Sequence, residues 1–289
     1  MHNILITGGN GQLGRAIMAM PRDAHSNYHA PSHDTLDVCN RDSVEHYIAE
    51  HNIDIVINCA AYTDVERAES EPKQAMQING EAVGILAKAC SRHNATLIHI
   101  SSDYVFGGNT HRNTPYCIDD TTDPINSYGR SKAEGEREAL RYDRAIVIRT
   151  SWLYAPWGKN FCRTILRVGA EQSTLHVVND QRGTPTSALS LARFIVHIIE
   201  QGDIDTMSGI YHFTDEGECT WYDFAKEIAS LAELQCNVVA CSSEERKTQA
   251  LRPRYSVLDK SHTHAIYPTA IKPWQETLAE CIEMIKRQH

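Results

Sequence analysis

The 289 residues contain no C-x-x-C pair, no cysteine–histidine cluster at zinc spacing and no H-E-x-x-H. Nine scattered cysteines, an odd number, argue against a disulfide framework and a structural metal, and point to a reducing, cytoplasmic setting. No run rich in lysine and arginine occurs, and 28 basic residues face 37 acidic ones, a net charge of −9. Nucleic acid and anionic membrane are therefore excluded as expected partners, and a phosphorylated ligand must be held by local donors. No long apolar stretch or charged leader precedes the first strand-like segment, so neither a signal peptide nor a membrane span is expected. There is no internal repeat and no low-complexity tract. The fifteen histidines do not gather at ligand spacing and read as surface or core filler.

What is present is an ordinary globular composition, 42% hydrophobic and 22% charged, long enough for one large α/β unit or a main domain with a smaller lobe. Short apolar runs alternate with helical patterns through the first half, which is how a parallel sheet reads. Strands are expected at Asn3–Thr7, Asn27–Ala30, Ile53–Ala61, Thr96–Ser101 and Ala145–Tyr154, the third apolar enough to be buried on both faces. Helices are expected near Gln12–Met20, Asp42–His51, Ala75–Cys90 and from Ser127. After Tyr154 the rhythm loosens. Helices are expected at Asn160–Ala170, Ser187–Gln201, Trp221–Leu234 and Trp274–Arg287, with short strands at Leu175–Asn179 and Ile210–Thr214. The stretch Ala240–His264 reads as polar loop. The expected architecture is α/β: a Rossmann-type doubly wound parallel sheet over residues 1–150, and a smaller substrate-binding lobe in 151–289. The chain is expected to return to the sheet around 187–214.

"ITGGNGQLG" sets Gly8, Gly11 and Gly14 at the turn between the first strand and first helix. A Cβ there would block the tight turn, the approach of a pyrophosphate and close helix–strand packing, while the helix N-terminus offers free N–H groups. Gln12 and Leu13 lie inside the same turn. At the end of the second strand, Ala30-Pro31-Ser32-His33 carries no acid, the nearest being Asp34. Repulsion against a 2′-phosphate is thus absent, and Ser32 or His33 can donate to one. This favours NADPH, with NADH as an open alternative. "SYGRSKAEGE" places Tyr128 and Lys132 four residues apart, on one helical face. With a nicotinamide beside them, an ammonium would lower a phenol whose ordinary pKa is about 10 and make it a proton donor to a carbonyl. "HISSDYVF" supplies a hydroxyl, Ser102, at the end of the fourth strand, with Ser101 next to it.

The G-x-x-G-x-x-G spacing and the Tyr-x-x-x-Lys pair resemble the short-chain dehydrogenase/reductase superfamily, and the length suits its extended members. "SSDYVF", "NCAAYTDVERAE" (Asn58–Glu69), "RTSWLYA" (Arg149–Ala155), "NDQRGTPT" (Asn179–Thr186) and "RPRYSVLD" (Arg252–Asp259) are similar to the dTDP-4-dehydrorhamnose reductase family. The resemblance implies NADPH-dependent reduction of the C4 ketone of a dTDP-6-deoxy-hexulose, the last step towards dTDP-L-rhamnose in polysaccharide biosynthesis. It implies a small-molecule nucleotide-sugar substrate and leaves a homodimer open. Carried over by position, Ser102, Tyr128 and Lys132 handle the proton. Ala60, Ala61 and Tyr62 line the cofactor, with Asn79 beneath the nicotinamide ribose. Asp103, Tyr104 and Trp152 face the sugar or shape its pocket. Arg182 and Arg252 are candidates for the substrate's diphosphate, because a guanidinium suits bidentate contact. Three positions depart from the family: Ser102 stands where threonine is common, Cys59 replaces an alanine-like residue, and Arg15 stands where some members have a metal-holding glutamate. No metal is expected. A 4,6-dehydratase would need a glutamate after Asp103, where Tyr104 stands. An epimerase, a reductase of another 4-keto nucleotide sugar, and a non-catalytic regulatory subunit are the alternatives; the intact trio speaks against the last.

Overall fold

Ile4 and Ile6 pack on one side of the first strand and Leu5 on the other, and all three are fully buried. Ile55 and Ile57 against Val56, and Ile146 and Ile148 against Val147, repeat this division. A continuous apolar run is what a strand covered on both faces requires. The computed structural model describes residues 2–21, 26–267 and 269–288. Its central sheet has six strands, all paired in parallel. β1 (His2–Thr7) lies between β2 (Ser26–His29) and β3 (Ile55–Asn58), and β4 (Thr96–Ser102) and β5 (Ala145–Thr150) follow outward. The order reverses between β1 and β3, and in an open α/β sheet that switch point is where a ligand crevice forms.

One face is covered by α1 (Gln12–Ala19), which carries no side-chain cap at its N-terminus. The other face is covered by α2 (Arg41–Glu50), by a helical stretch beginning with α3 (Val65–Ser70) and α4 (Pro72–Met76), by α5 (Ala82–His93), and by α6 (Ser127–Ala139). The expected single helix over Ala75–Cys90 is instead α4 and α5 joined by a π-helical turn at Gln77–Glu81. β3 ends at Asn58 rather than Ala61, so the apolar tail Cys59–Ala61 is loop. The expected Ala145–Tyr154 strand breaks at Ser151–Trp152, where Trp152 takes a left-handed φ of +47°. β6 (Leu153–Tyr154) resumes beyond it.

Beyond this break, α7 (Phe161–Glu171) leads to β7 (Thr174–Val178), and two short strands follow, β8 (Arg182–Gly183) and β9 (Thr186–Ser187). α8 (Ala188–Glu200) then packs with α1 on the sheet, and β10 (Gly209–His212) pairs with β5. β11 (Cys219–Thr220) pairs with β8, and α9 (Trp221–Leu231) starts on a capping box of Thr220 and Asp223. The stretch expected to be polar loop contains structure at both ends. β12 (Asn237–Cys241) pairs with β7, and α10 (Ser261–Ile266) follows the loop. α11 (Trp274–Lys286) joins α7 and α9 in a second core of Ile165, Phe224, Ile228, Leu278 and Ile282. Among the described residues no helix is long and apolar enough to cross a membrane.

Candidate active site

Gly8 sits at φ +65°, and a Cβ on it would lie 2.7 Å from the Ala60 nitrogen. A Cβ on Gly14 would come within 2.6 Å of the Gly8 carbonyl and Gly9 Cα. These two positions let the ends of β1 and β3 and the start of α1 close into a backbone cradle, and only glycine fits both. The cradle floors one end of a cleft of about 1000 Å³. Gly11, Gln12, Leu13, Ala60 and Ala61 line this end, with Ser32 and His33 farther along it. The α1 N-terminus has no acidic residue in its first turn, so its N–H groups are free of competing negative charge. The donor set, the switch-point position and the steric exclusion of Cβ fit a dinucleotide's pyrophosphate. Gln12 is also held from the far wall: Trp157 Nε1 donates to its carbonyl at 3.0 Å and Asn160 Nδ2 to its side chain at 2.9 Å. Arg15 stacks its guanidinium over the Trp157 ring at 4.8 Å.

The other end of the cleft is built around α6. Asn126 caps this helix by accepting from the Gly129 N–H at 2.7 Å. A Cβ on Gly129 would lie 2.1 Å from the Tyr104 carbonyl, and one on Gly135 would lie 2.1 Å from the Asn79 carbonyl. The glycines in "SYGRSKAEGE" therefore let the helix lie directly on two other backbones, and this seats Tyr128 and Lys132 against the end of β4. Both line the cleft together with Ser102, Asp103 and Tyr104. The Tyr104 and Tyr128 rings meet edge to face at 5.8 Å.

Burial is the main influence on Tyr128. It pushes the phenol up to about 12, and the Ser102 hydroxyl hydrogen-bonded to it pulls the other way. The sequence expectation is that Lys132 together with a bound nicotinamide lowers this phenol; without the nicotinamide, burial dominates and the phenol lies above its ordinary value. The ammonium donates to the Ile100 carbonyl at 2.6 Å. Burial brings Lys132 itself down to about 8, with Glu136 opposing the fall. Ser102 donates to Asp103 Oδ1 at 3.0 Å and accepts from the Tyr104 N–H at 3.2 Å. Asp103 is buried, raised to about 7, and its other oxygen accepts from Ser256 at 2.6 Å. A protonated phenol beside an oriented hydroxyl and a buried ammonium can deliver a proton to an anionic oxygen forming in the cleft.

Of the residues singled out in the sequence, Tyr62, Asn79, Arg182 and Arg252 are not in the cleft lining. Asn79 is fully buried and occupied: it accepts from the Tyr62 N–H at 2.8 Å and donates to the Tyr62 carbonyl at 3.0 Å and the Ser131 hydroxyl at 2.9 Å. It ties the loop after β3 to α6. Tyr62 directs its hydroxyl to Glu71 at 2.6 Å. Arg182 pairs with Glu218 at 3.2 Å on the surface. Arg252 pairs with Glu66 at 2.6 Å and hydrogen-bonds Tyr104, so it stands behind the cleft wall. Trp152 does line the cleft, but its indole stacks on Trp221 at 3.5 Å. On Gly183 a Cβ would come within 2.6 Å of the same ring. Trp152 is clamped rather than free to stack.

Trp221, Asp37, Lys159 and Asn160 line the cleft and were missed in the sequence. Asn160 carried a readable signal as the cap of α7, accepting from the Arg163 N–H at 3.0 Å. Trp221 opens α9, and nothing in its local spacing marks it as facing a site formed 70 residues earlier.

Residues 1–287 match the family model of the RmlD substrate binding domain. A dTDP-4-dehydrorhamnose reductase of Aggregatibacter actinomycetemcomitans is 37% identical over 289 residues, covering 96% of this chain and 97% of its own. A dTDP-4-keto-6-deoxy-D-glucose reductase of Streptomyces niveus is 35% identical over 284 residues, covering 97% of this chain and 96% of its own. Among solved structures, a dTDP-4-dehydrorhamnose reductase from Bacillus anthracis in complex with NADP aligns with a TM-score of 0.92 at 34% identity. That alignment covers 98% of this chain and 99% of the other.

Proposed function

The chain belongs to the RmlD substrate binding domain family, and from that premise we propose that it reduces the C4 ketone of dTDP-4-dehydro-6-deoxy-L-mannose to dTDP-L-rhamnose with NADPH. The observation that carries this reading is that a dinucleotide cradle and the Ser102–Tyr128–Lys132 group share one cleft. Bound NADPH supplies the hydride. Tyr128, held protonated by its surroundings, gives its proton to the ketone oxygen as negative charge grows there. Ser102, fixed by Asp103 and the Tyr104 N–H, orients that phenol. Lys132 keeps positive charge at the foot of the site, where a phenolate would otherwise form unassisted.

Gly8, Gly11, Gln12, Leu13, Gly14, Ala60 and Ala61 are assigned to the dinucleotide, and Ser32 or His33 to its 2′-phosphate. Asp103, Tyr104 and Trp152 shape the sugar pocket. Arg252 and Arg182 meet the diphosphate only by leaving Glu66 and Glu218. Residues 1–150 carry the cofactor, 151–289 mainly the sugar nucleotide, and 187–214 return to the sheet. Nine free thiols suit the cytoplasm, and a homodimer is the assembly this reading allows.

The test is substrate-dependent loss of reduced-nicotinamide absorbance, with the L-sugar and its 4-keto-6-deoxy-D-gluco isomer offered separately to each reduced cofactor. Turnover of the L-sugar with NADPH, giving an L-rhamno product by NMR, is the expected result. Preference for the D-gluco isomer would favour the activity of the Streptomyces niveus relative instead. No oxidation with either sugar would overturn the proposal.

A further inference from the structure

Lys132 is buried with an exposure of 2%, and among the described residues its ammonium hydrogen-bonds a backbone carbonyl, that of Ile100. Taking an ammonium out of water penalises its charge, and a carbonyl does not replace a counter-ion. Several groups face it from the elements packed around it. Cys59, after β3, is pushed up to about 12 and stays a neutral thiol. His99, on β4, is held well below its ordinary range and stays a neutral imidazole. Tyr128, one turn earlier on α6, is a neutral phenol. Glu136, one turn later on the same face, is the carboxylate that acts on Lys132.

Glu136 is placed with unusual completeness for a residue outside the cleft lining. Its side chain is 5% exposed, and Arg149 on β5, 2% exposed, grips both of its oxygens at 2.9 and 2.7 Å. The Ser101 hydroxyl donates to one of the same oxygens. Arg149 lies over the Phe106 ring at 4.9 Å and reaches His212 Nε2 at 3.3 Å. His212 meets the Asp259 carbonyl through Nδ1 at 3.0 Å. Glu136 thus joins the helix that carries Lys132 to the strand end that carries Ser102, and anchors both to β5 and β10.

We propose that Glu136, clamped by Arg149, is a positioning residue that supplies the buried negative charge facing Lys132 and fixes the α6–β4 seam on which Lys132 and Ser102 sit. The inference rests on the reductase reading for its catalytic consequence but not for its electrostatic one. A lysine is charged below its pKa and loses its charge as pH rises through it. Since Glu136 raises that pKa, removing it moves the loss of charge to lower pH.

The experiment uses the full chain with 13Cε-labelled lysine, the Lys132 resonance being identified by its absence in Lys132→Met. In Glu136→Gln, the Lys132 titration midpoint is expected to fall by about one pH unit, a tenfold loss of proton affinity. The basic limb of kcat for ketone reduction is expected to move by the same amount, with KM for the sugar nucleotide unchanged. Because the single change leaves Arg149 uncompensated in the interior, Glu136→Gln/Arg149→Met, which deletes both charges, is measured alongside it. A smaller shift in the same direction is expected, since the opposing positive charge of Arg149 leaves together with the carboxylate. Folded variants, judged by circular dichroism, whose Lys132 midpoint stays at the wild-type value would overturn the proposal. A wild-type chain with no turnover but with the shift intact would overturn the reductase reading and leave this assignment standing.

Discussion

At one end of the cleft the walls are backbone, and at the other they are side chains. The end proposed for the dinucleotide comes from two short segments, residues 8–14 and 59–61: a Cβ on Gly8 would meet Cys59 and Ala60 at 2.7–2.9 Å, and one on Gly14 would meet Gly8 and Gly9 at 2.6 Å. The end proposed for the sugar draws on Asp103, Tyr104, Trp152 and Trp221, supported from behind by Glu66, Arg252 and Ser256, groups more than 150 residues apart in places. A backbone site recognises what every dinucleotide shares and depends on shape alone. A side-chain site can be retuned residue by residue, which fits a family whose relatives include reductases named for different keto sugars.

The largest expected effect lies where the two ends meet. Tyr128→Phe should fold normally and bind NADPH as before, yet lose on the order of 10²–10⁴ in kcat. An unchanged kcat would remove the proton donor from the mechanism. Next comes the backbone end: Gly14→Val should lower NADPH affinity on the order of 100-fold, because its side chain would meet the Gly8 and Gly9 backbone. Calorimetry should find sugar-nucleotide affinity within about twofold of wild type, since packing strain of this kind stays local. Equal losses for both ligands would dissolve the distinction between the ends. Trp221→Ala should do the reverse, raising KM for the sugar nucleotide roughly tenfold by releasing Trp152 from its stack while cofactor affinity holds. The smallest effect is expected for Arg182→Ala, about twofold or less, because its partner Glu218 and the arginine itself are exposed. A large effect there would mean that Arg182 leaves Glu218 for the diphosphate in the working enzyme.

The same contrast explains what could be read from the chain. Gly8, Gly11 and Gly14 fall within one turn, and Tyr128 and Lys132 within one turn of one helix, so their spacing brought them into view even though Ala60, Ser102 and Ile100, which complete their surroundings, come from other segments. The buried strands were legible because Ile55–Asn58 and Ala145–Thr150 are apolar on both faces. Arg182 and Arg252 were assigned by residue type, and residue type does not report that Glu218 and Glu66 already hold them. Asn79 was placed near the cofactor, but its amide is spent on Tyr62 and Ser131, a fact of packing between three segments. β12 escaped notice because Asn237–Cys241 is a half-exposed strand whose partner among the described residues, β7, lies far back in the chain at Thr174–Val178.

The wide turn at Gln77–Glu81 carries its own consequence for how this chain can drift. A π turn holds one residue more than an α-helix needs for the same advance. Within this turn the Asn79 carbonyl lies against Gly135 and its amide donates to Ser131. Losing the codon of Gln77, Ile78, Gly80 or Glu81 would regularise the helix, swing Asn79 about a quarter-turn or more relative to α6, and unseat that helix without touching any group that meets the substrate.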